Sequence, residues 1–433
     1  MRDTDVFSTA VSFEPYWWEA APRPEPRTEN LPANVDMAIV GSGFAGLSAA
    51  LTAARHGLSV LVLEAEALGQ GASTRNGGAV GDTLRISFSA MEARFGQDAA
   101  VNYYLGVREA RQHLERLIAQ HGIACHYRKA GRFIGAHKPA DYEAMARDLE
   151  RRRAAIGFEA EMVPAGEVRS AIGSDAFAGG RIIHTDGNLH PGLFHQGLAD
   201  AAKAAGATIA DRTRVTGFDR AGSGFAVATE RGPVRADRLI VATNGYTGRL
   251  SAWLARRLIP IQSQIIATEP LGKDLAERLV PAGRQMGDTR KLHNYWRLSP
   301  DGTRLLFGGR AGASELRDRR RAALMLREQM LSIYPELRDV AITHAWAGFI
   351  AYTFDALPHM ASHDGIHYVG GCCGSGVAMQ PYLGHKAALK ALGSPEAATP
   401  FDRIHPTFPG YGGNPWFMPA VIAYFGLRDR LKR

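Results

Sequence analysis

The rhythm of apolar and polar positions is clearest between residues 35 and 64. Residues 36–40 form an apolar run of strand length, residues 44–56 follow the period of a helix, and residues 59–64 form a second apolar run. Gly57 stands where a helix C-cap is expected. The pattern predicts a complete β-α-β unit with a glycine-rich turn between its first strand and its helix.

The periodicity along the rest of the chain predicts further helices and strands as far as residue 392. Helices are predicted at residues 97–121, 139–156, 192–205, 314–334 and 376–392, strands at 225–230, 234–242 and 366–371, a hairpin-like segment at 124–135, and a mostly β region at 258–310. Residues 1–34 contain five prolines, so we expect an extended arm without regular structure that docks its aromatic side chains on the body.

The order of these elements predicts an α/β fold with two interleaved domains. A doubly wound, Rossmann-type nucleotide domain would be assembled from early, middle and late segments, with a β-rich substrate domain inserted between them. The expected boundaries are 1–34 for the arm, 35–85, 160–245 and 344–393 for the nucleotide domain, 86–159 and 246–343 for the substrate domain, and 394–433 for a C-terminal extension.

The turn of the β-α-β unit carries the spacing Gly41-x-Gly43-x-x-Gly46. Gly41 suits a tight turn, Gly43 lets the backbone approach a pyrophosphate, and Gly46 allows close packing of helix and strand. The helix N-terminus would face the phosphates with free N–H groups. Glu64, at the end of the second strand, stands where an acid binds the adenosine ribose, which disfavours a 2′-phosphate.

A second glycine-rich loop, GQGASTRNGG at residues 69–78, follows the acidic strand. An NAD dehydrogenase has no need of it, whereas a bound FAD continues along the protein with its ribityl chain. From this point the sequence resembles the D-amino-acid-oxidase-like FAD oxidoreductases, and most closely their gamma-glutamylputrescine oxidase branch. The resemblance spans residues 35 to about 392 and rests on VGSGFAGLSAAL, LEAEALGQGASTRNGG, DGNLHPGLF, IVATNGYTG, NYWRLSPDGTRLLFGGR, WAGFIAYTFDALPHM and GCCGSGVAM.

The resemblance implies non-covalent FAD and a set of cofactor-binding positions. It implies the pyrophosphate at Gly41, Ser42, Gly43, Phe44, Ala45 and Gly46, the ribose at Glu64 and Ala65, the ribityl chain and flavin ring at Gly71, Ala72, Ser73, Arg75, Asn76, Gly77 and Gly78, the adenine at Val215, the adenosine side at Ala242, Thr243 and Asn244, and the flavin pyrimidine at Cys373, Gly374, Ser375, Gly376 and Val377. A helix N-terminus at the last loop would stabilise the negative charge of a reduced flavin.

The chemistry implied is oxidation of a C–N bond in a small amine or amino-acid derivative. A hydride passes to flavin N5, the imine is hydrolysed to an aldehyde or ketone, and O2 is the expected acceptor, with H2O2 as product. Because the cofactor performs the difficult step, no acid–base residue is required. The substrate-pocket candidates are His293, Tyr295, Arg297, Trp346, Phe349 and Tyr352, and simple core packing is an equal alternative for each.

Three positions depart from the related sarcosine-oxidase pattern. Ile350 occupies the region of a flavin-linking cysteine, so no such covalent link is expected. Ala378 and Met379 stand where that branch has a carboxylate-binding lysine. An amine whose carboxylate is distant or missing is therefore favoured over a simple N-methyl amino acid.

Composition adds limits on partners and compartment. Lys plus Arg exceeds Asp plus Glu by eight (51 against 43), but the charge is dispersed. The two dense clusters, Arg151 to Arg153 and Arg317, Arg319, Arg320 and Arg321, are expected to be solvated helix faces. The three cysteines give no disulfide framework, and Cys372-Cys373 is expected to be structural, with no metal site. The start of the chain lacks an apolar signal segment, so a cytoplasmic protein without a membrane span is expected.

Three alternatives stay open at this point. One is a D-amino-acid dehydrogenase of the same fold that passes electrons to a quinone, and another is a non-catalytic flavin-binding subunit. The third is RNA modification, which the absence of a basic patch interleaved with aromatics makes the weakest. No nucleic-acid partner is expected, and the oligomeric state is open.

Overall fold

The computed structural model describes residues 6–25, 30–310 and 318–431. Its strands are β1 (Phe7–Ser12), β2 (Asn34–Val40), β3 (Val60–Leu63), β4 (Ala79–Val80), β5 (Arg132–Gly135), β6 (Ala160–Pro164), β7 (Gly179–Ile183), β8 (Gly187–Asn188), β9 (Thr208–Ala210), β10 (Val215–Ala221), β11 (Gly224–Thr229), β12 (Val234–Val241), β13 (Ile259–Thr268), β14 (Gln285–Asp288), β15 (Tyr295–Leu298), β16 (Leu305–Gly309), β17 (Ile342–Tyr352), β18 (His359–His363) and β19 (Ile366–Gly370). Its helices are α1 (Phe44–Arg55), α2 (Phe88–Phe95), α3 (Gln97–Gln120), α4 (Pro139–Ile156), α5 (Val168–Ile172), α6 (Pro191–Ala204), α7 (Ala252–Ala255), α8 (Lys273–Leu279), α9 (Arg319–Leu331), α10 (Gly376–Ala391) and α11 (Met418–Leu431).

The first sheet contains the predicted β-α-β unit. Strands β9, β3, β2 and β12 run parallel in that order. The first half of β12 also pairs with antiparallel β11, and its last residues pair with parallel β19. Helices α1 and α10 pack on this sheet with almost entirely apolar, buried faces. The parallel strands read as continuous apolar runs because both faces are covered.

The second sheet follows the order β1-β17-β13-β16-β15-β14-β5-β7-β6. The long antiparallel pair β13–β17 lies near one edge of this sheet, next to β1, and α9 packs over it with Leu326 and Met330 buried. The α/β class, with a nucleotide-binding unit and a separate β-rich sheet, is therefore confirmed.

The arm differs from the expectation of an irregular segment. Residues 7–12 form β1, which runs parallel to β17 at the edge of the second sheet. The prolines begin only at Pro15, so they leave the preceding segment free to pair. An unpaired sheet edge offers backbone groups that a further strand can satisfy. The expected docking of aromatic residues is confirmed, because Trp17 is completely buried.

The sheets divide the chain differently from the expected domain boundaries. Strands β6 and β7 were expected in the nucleotide domain but belong to the second sheet, since β7 pairs with β5. Most of β17 was likewise assigned to the nucleotide domain and instead pairs with β13 and β1. The expected hairpin at 124–135 is also absent, because only its last four residues form a strand and their partners are β14 and β7.

Among the described members of the two arginine clusters, Arg152 alone departs from the expected solvated helix face, and the others, Arg151, Arg153, Arg319, Arg320 and Arg321, are exposed. Arg152 is buried, with its guanidinium 3.4 Å from the centroid of the Phe158 ring and 4.4 Å from that of Tyr104. Arg320 lies over Phe7 and Phe13 of the arm. Arg317 and residues 314–316 of the predicted helix lie outside the described residues. Arginine stems and planar heads cover apolar surface well, and a charge count does not reveal this. Within the described residues, no helix has the length and apolar character to cross a membrane.

Candidate functional site

The glycine turn has the geometry that its spacing predicts. Gly41 leaves β2 with a φ of +100°, a conformation that side chains rarely adopt. A Cβ on Gly46 would lie 1.9 Å from the carbonyl oxygen of Gly41, so only glycine allows α1 to pack on the turn. Helix α1 starts after Gly43 without a side-chain cap. The Phe44 amide donates to Ser73 Oγ at 2.9 Å, which ties the turn to the second glycine-rich loop.

Glu64 also organises this turn. One oxygen of its carboxylate accepts hydrogen bonds from the amide and the hydroxyl of Ser42, at 3.0 and 2.6 Å. The other oxygen accepts from the Glu66 amide at 3.1 Å. The acid therefore fixes the glycine turn as well as lining the space in front of it.

A cavity of about 520 Å³, called here the turn cavity, opens in front of Gly41 to Ala45. Its wall contains the predicted cofactor positions Gly41, Ser42, Gly43, Phe44, Ala45, Glu64, Ala65, Gly71, Ala72, Ser73, Val215, Ala242, Thr243 and Asn244. The sequence analysis did not include His195, whose Nε2 lies 2.8 Å from the Ser42 carbonyl oxygen. Burial lowers the pKa of His195 to about 4, so the ring is neutral and donates this hydrogen bond.

The segment 69–78, called here the cofactor loop, is held by side chains from distant elements. Trp17 Nε1 donates to the Asn76 carbonyl oxygen at 2.8 Å, and Trp18 Nε1 donates to Thr74 Oγ1 at 3.0 Å. Trp346 Nε1 donates to the Arg75 carbonyl oxygen at 2.8 Å. The loop therefore takes its shape from the arm on one side and from β17 on the other.

A second cavity, of about 630 Å³ and called here the wide cavity, adjoins the first. The two share Phe44, Ala72, Ser73, Asn244 and Gln380, so they form one continuous space. The wide cavity also contains the predicted positions Asn76, Gly77, Gly374, Ser375, Gly376 and Val377. Helix α10 begins at Gly376, which places its N-terminus at this wall.

Four predicted cofactor positions lie outside both cavities. Gly46 contacts the turn from behind, and Gly78 packs near the Leu189 carbonyl oxygen. Arg75 donates to the carbonyl oxygens of Gln70 and Ala347, and it stacks on Trp18. Cys373 is buried, with its Sγ 3.5 Å from Thr353 Oγ1, whereas the neighbouring Cys372 lines the wide cavity. Burial raises the pKa of Cys373 to about 12, and all three cysteines are free thiols.

Four of the six substrate candidates line the wide cavity: His293, Tyr295, Phe349 and Tyr352. Tyr295 packs against Gly77 of the cofactor loop, and its hydroxyl lies 3.1 Å from Ser263 Oγ. His293 has its Nδ1 2.7 Å from the Asp288 carbonyl oxygen. Tyr246 meets Phe349 edge to face at the junction of the cavities.

The other two candidates lie behind the wall, where they have structural contacts. Arg297 donates to the carbonyl oxygens of Leu189 and Leu298 at 2.7 and 2.9 Å. Burial lowers its pKa to about 9. Trp346 packs with Trp17 and Ile265 and donates to the cofactor loop. Alternation along β15 puts Tyr295 and Arg297 on the same face, but only Tyr295 reaches the cavity, because the Arg297 guanidinium is turned to the Leu189 and Leu298 carbonyl oxygens.

Several lining residues were missed at the sequence level. Helix α11 and the residue before it contribute Phe417, Met418, Val421, Phe425 and Arg428. Asp429 holds this helix in place by accepting from the backbone amides of Lys291 and Leu292. The apolar and aromatic residues at 416–425 indicate that this segment packs against the body of the protein. No nearby sequence feature indicates which surface it contacts. Arg85, Arg132 and Arg310 also line the wide cavity.

The fold and site define a flavoprotein class: a Rossmann-type turn, a second glycine-rich loop and a late helix N-terminus surround one elongated cavity beside a β-rich domain. Residues 36–389 match the family described as FAD dependent oxidoreductase (DAO), and the chain belongs to this family. It is an FAD-dependent oxidoreductase whose homologues include enzymes named for amine and amino-acid substrates.

Two curated relatives cover nearly the whole chain. The gamma-glutamylputrescine oxidoreductase of Escherichia coli K12 is 32% identical over 413 residues, which are 93% of this chain and 95% of the relative. The probable oxidoreductase OrdL of Rhizobium meliloti is 31% identical, over 96% of this chain and 97% of the relative. Among solved structures, glycine oxidase from Geobacillus kaustophilus has a TM-score of 0.71 at 21% identity, covering 86% of this chain and 97% of that chain.

Proposed function

We propose that this protein oxidises a C–N bond of a small amine or amino-acid derivative and passes the electrons to O2. The observation that carries this proposal is the continuous space formed by the turn cavity and the wide cavity. One end has the backbone geometry for a dinucleotide, and the other has room for a second molecule. Similarity to gamma-glutamylputrescine oxidoreductase supports a C–N bond as the target.

The residues around the turn cavity fit FAD. The tight turn, in which Gly41 lies close to the Ala242 carbonyl oxygen and Gly43 close to Ser73 Oγ, and the start of α1 without a side-chain cap suit a pyrophosphate. We propose that Glu64 and Val215 bind the adenosine portion, and that Asn76, Gly77 and the start of α10 border the flavin. Bound FAD supplies the acceptor for the hydride that leaves the substrate carbon.

In the wide cavity, the protein's task is to orient the substrate and exclude water. Tyr295, Phe349 and Tyr352 provide aromatic surface for the carbon chain or the amine. Burial raises the pKa of Tyr295 to about 12, so its hydroxyl stays protonated. Among the described lining residues there is no carboxylate to act as a base, so the amine proton leaves to solvent or to the imidazole of His293, which lines the cavity.

The products of the proposed oxidation follow from the atoms and electrons that the substrate loses. The carbon loses a hydride with two electrons, the nitrogen loses a proton, and a C=N bond forms. Water then adds to this bond and releases an aldehyde or ketone together with the amine fragment. Reoxidation by O2 takes up the two electrons and two protons and gives H2O2.

An anaerobic panel of amines and amino acids, including gamma-glutamylputrescine, tests this proposal through bleaching of the flavin absorbance. We expect at least one compound to bleach it, and air to restore the colour with formation of H2O2. Failure of every compound would contradict C–N oxidation and favour a non-catalytic flavin-binding subunit. Bleaching that a quinone dye reverses and air does not would instead indicate a dehydrogenase.

We further propose that FAD is held without a covalent bond. Ile350 lies in the wall of the wide cavity, where the sarcosine-oxidase pattern has its linking cysteine. Acid precipitation should release all yellow colour into the supernatant, and colour retained in the pellet would point to Cys372 as the attachment site. A cytoplasmic location also stays a prediction, which cell fractionation tests.

A further inference from the structure

The wide cavity contains few groups that can take the proton of an incoming amine. An ammonium group keeps this proton up to about pH 10 in water. Among the described lining residues, Tyr295 and Tyr352 hold protons of their own, because burial raises the pKa of each hydroxyl, that of Tyr295 to about 12. The arginines and Lys291 are cations, and the Cys372 thiol carries a proton already. His293 is the one imidazole in the described wall.

The tautomer of His293 is fixed by its neighbour Asp288. Nδ1 lies 2.7 Å from the Asp288 carbonyl oxygen, which can only accept a hydrogen bond, so Nδ1 carries the hydrogen. The lone pair of the neutral ring is therefore on Nε2. Nε2 has no hydrogen-bond partner among the described residues, and 27% of the side chain is exposed. This nitrogen is available to a molecule in the cavity.

The imidazole has a fixed place beside β14 and β15. A Cβ on Gly287 would lie 2.9 Å from the ring Cε1 and 3.3 Å from Nε2, so a side chain there would press on the imidazole. The ring also stacks with Tyr295, with centroids 6.2 Å apart and an interplanar angle of 30°. Tyr295 in turn packs against Gly77. Tyr295 therefore links His293 to the cofactor loop, which borders the flavin in the proposed function.

Charged groups from several elements surround this imidazole. The buried Asp288 carboxylate has its Oδ1 3.3 Å from Nδ1 of the ring and its Oδ2 3.3 Å from Nη1 of Arg290. Arg132 on β5 brings its Nη2 within 3.4 Å of the Cβ position over Gly287. Arg132 favours a neutral ring before the reaction, and Asp288 stabilises the imidazolium that follows. The other titratable groups around residues 289–294 are His137, Asp141, Lys291, Tyr295, Arg428 and Asp429.

We propose that His293 is the base of the reaction, and that its Nε2 takes the proton of the substrate ammonium group directly or through one water. The N–H bond of the ammonium breaks, its electron pair stays on the nitrogen, and the new N–H bond makes an imidazolium. The hydride then leaves the adjacent carbon with two electrons, and the imidazolium gives its proton to solvent after the product departs. This assignment rests on the proposed function, because it concerns one step of that oxidation.

The pH dependence of flavin reduction at saturating amine, followed by rapid anaerobic mixing, tests the base. At neutral pH the rate in His293→Ala should fall about 100-fold, an effect typical of a general base. The deficit should shrink towards about pH 10, where the amine loses its proton without help. A rate equal to that of the wild type at every pH would overturn the proposal. A deficit of the same size at every pH would overturn it too, because the ring would then serve only to pack against Tyr295.

Added imidazole separates the loss of a base from the loss of packing. It should restore much of the rate in His293→Ala, where the removed ring leaves space, and not in His293→Phe, whose ring fills that space without a nitrogen. Equal acceleration of both variants, or of neither, would overturn the proposal. His184→Ala is the matched control and should react as the wild type does at every pH. His184 is exposed, has its Nε2 3.6 Å from Glu161 Oε1 and lines neither cavity.

Acylation by diethyl pyrocarbonate gives a readout without turnover, because the reagent requires an imidazole nitrogen with a free lone pair. Mass spectrometry of the FAD-loaded protein should locate the modification at His293 as well as at His184. Modification of His184 without His293 would show that Nε2 is not available, which would overturn the proposal.

The base and the oxidation fail in different ways. If no amine bleaches the flavin of the wild type, the oxidation is wrong, whatever the reagent does at His293. If an amine bleaches the wild type and His293→Ala at the same rate over the whole pH range, the oxidation stands and the base is wrong.

Discussion

The two ends of the continuous cavity are built in different ways. The turn cavity takes about half of its wall from two stretches of chain, 40–45 and 63–73, and the rest from later segments, chiefly 214–216 and 242–250. The wide cavity takes side chains from β5, β13, β15 and α11, which are far apart in sequence. The first end starts from a motif that the sequence reveals, whereas the second has no such motif, and both are complete only after distant segments of the chain have packed together.

The largest expected effect is the loss of FAD binding at the turn cavity, with the wide cavity left intact. In Gly46→Ala, the new Cβ would lie 1.9 Å from the Gly41 carbonyl oxygen, so α1 must move away from the turn. Overpacking against a backbone oxygen displaces the start of α1 and should abolish FAD retention. The flavin-to-protein absorbance ratio after gel filtration measures this. Gly166→Ala, where a Cβ meets no atom within 4 Å, is the control, and full FAD content in Gly46→Ala would contradict the account.

The Trp17→Ala variant tests whether the arm supports both the turn cavity and the wide cavity. Trp17→Ala removes a completely buried side chain and its hydrogen bond to Asn76, at a cost of about 3–5 kcal/mol. Urea denaturation should show the loss of stability, and the dissociation constant for FAD should rise with it. Trp416→Ala, at a side chain 69% exposed, should change neither. A destabilised variant with normal FAD affinity would show that the arm does not shape the cofactor loop.

Acidification should weaken the dinucleotide end through His195. Its pKa, about 4 in the folded protein, lies below the ordinary value of 6.5, so the stabilisation is present above pH 6.5 and is lost as the pH falls towards 4. The loss between pH 6.5 and 4.5 should be about 2–3 kcal/mol. Thermal unfolding of the wild type and of His195→Gln over this range measures it. Equal pH dependence in both proteins would assign the effect to other buried histidines, such as His113.

The smallest expected effect is a change in KM from a substitution in the wide cavity that leaves FAD binding unchanged. Phe425 of α11 lines the wide cavity, so Phe425→Ala should raise KM about 5-fold, the equivalent of about 1 kcal/mol, with FAD content unchanged. The neighbouring Tyr424 is 56% exposed, and Tyr424→Ala should leave KM unchanged. Loss of FAD in Phe425→Ala would contradict the independence of the two ends.

The sequence predicts the helices, whose signals are local, more accurately than the strand pairings, which join distant segments. The bounds of α1, α3, α4 and α10 agree with the predicted helices to within two residues, because their periodic patterns and their end signals lie within the helix itself. Strand pairing is not local: β6 and β7 carry no mark that assigns them to the second sheet. Similarly, Trp346 and Tyr352 lie on one strand, but Trp346 packs against Trp17 and Ile265 and donates to the Arg75 carbonyl oxygen, whereas Tyr352 lines the wide cavity.

At the site, residue type and spacing predicted the role of some residues correctly and suggested the wrong role for others. Glycines with a positive φ and a close neighbour, such as Gly41, have a role that spacing reveals. Arg297 was a reasonable candidate by type, but its donors satisfy buried carbonyl oxygens. Arg132 lies on β5 outside the quoted motifs, and Arg310 follows β16 as the last residue of NYWRLSPDGTRLLFGGR, but no sequence feature indicates that both line the wide cavity.

The pairing of β1 with β17 also sets an order of events during synthesis. The arm leaves the ribosome among the first residues, yet its partner strand is made only after most of both sheets. Until then Trp17 and Trp18 have no fixed place, and the cofactor loop is open on that side. The contacts of Trp17 and Trp18 with the cofactor loop are therefore complete only after β17 has been made and has paired with β1.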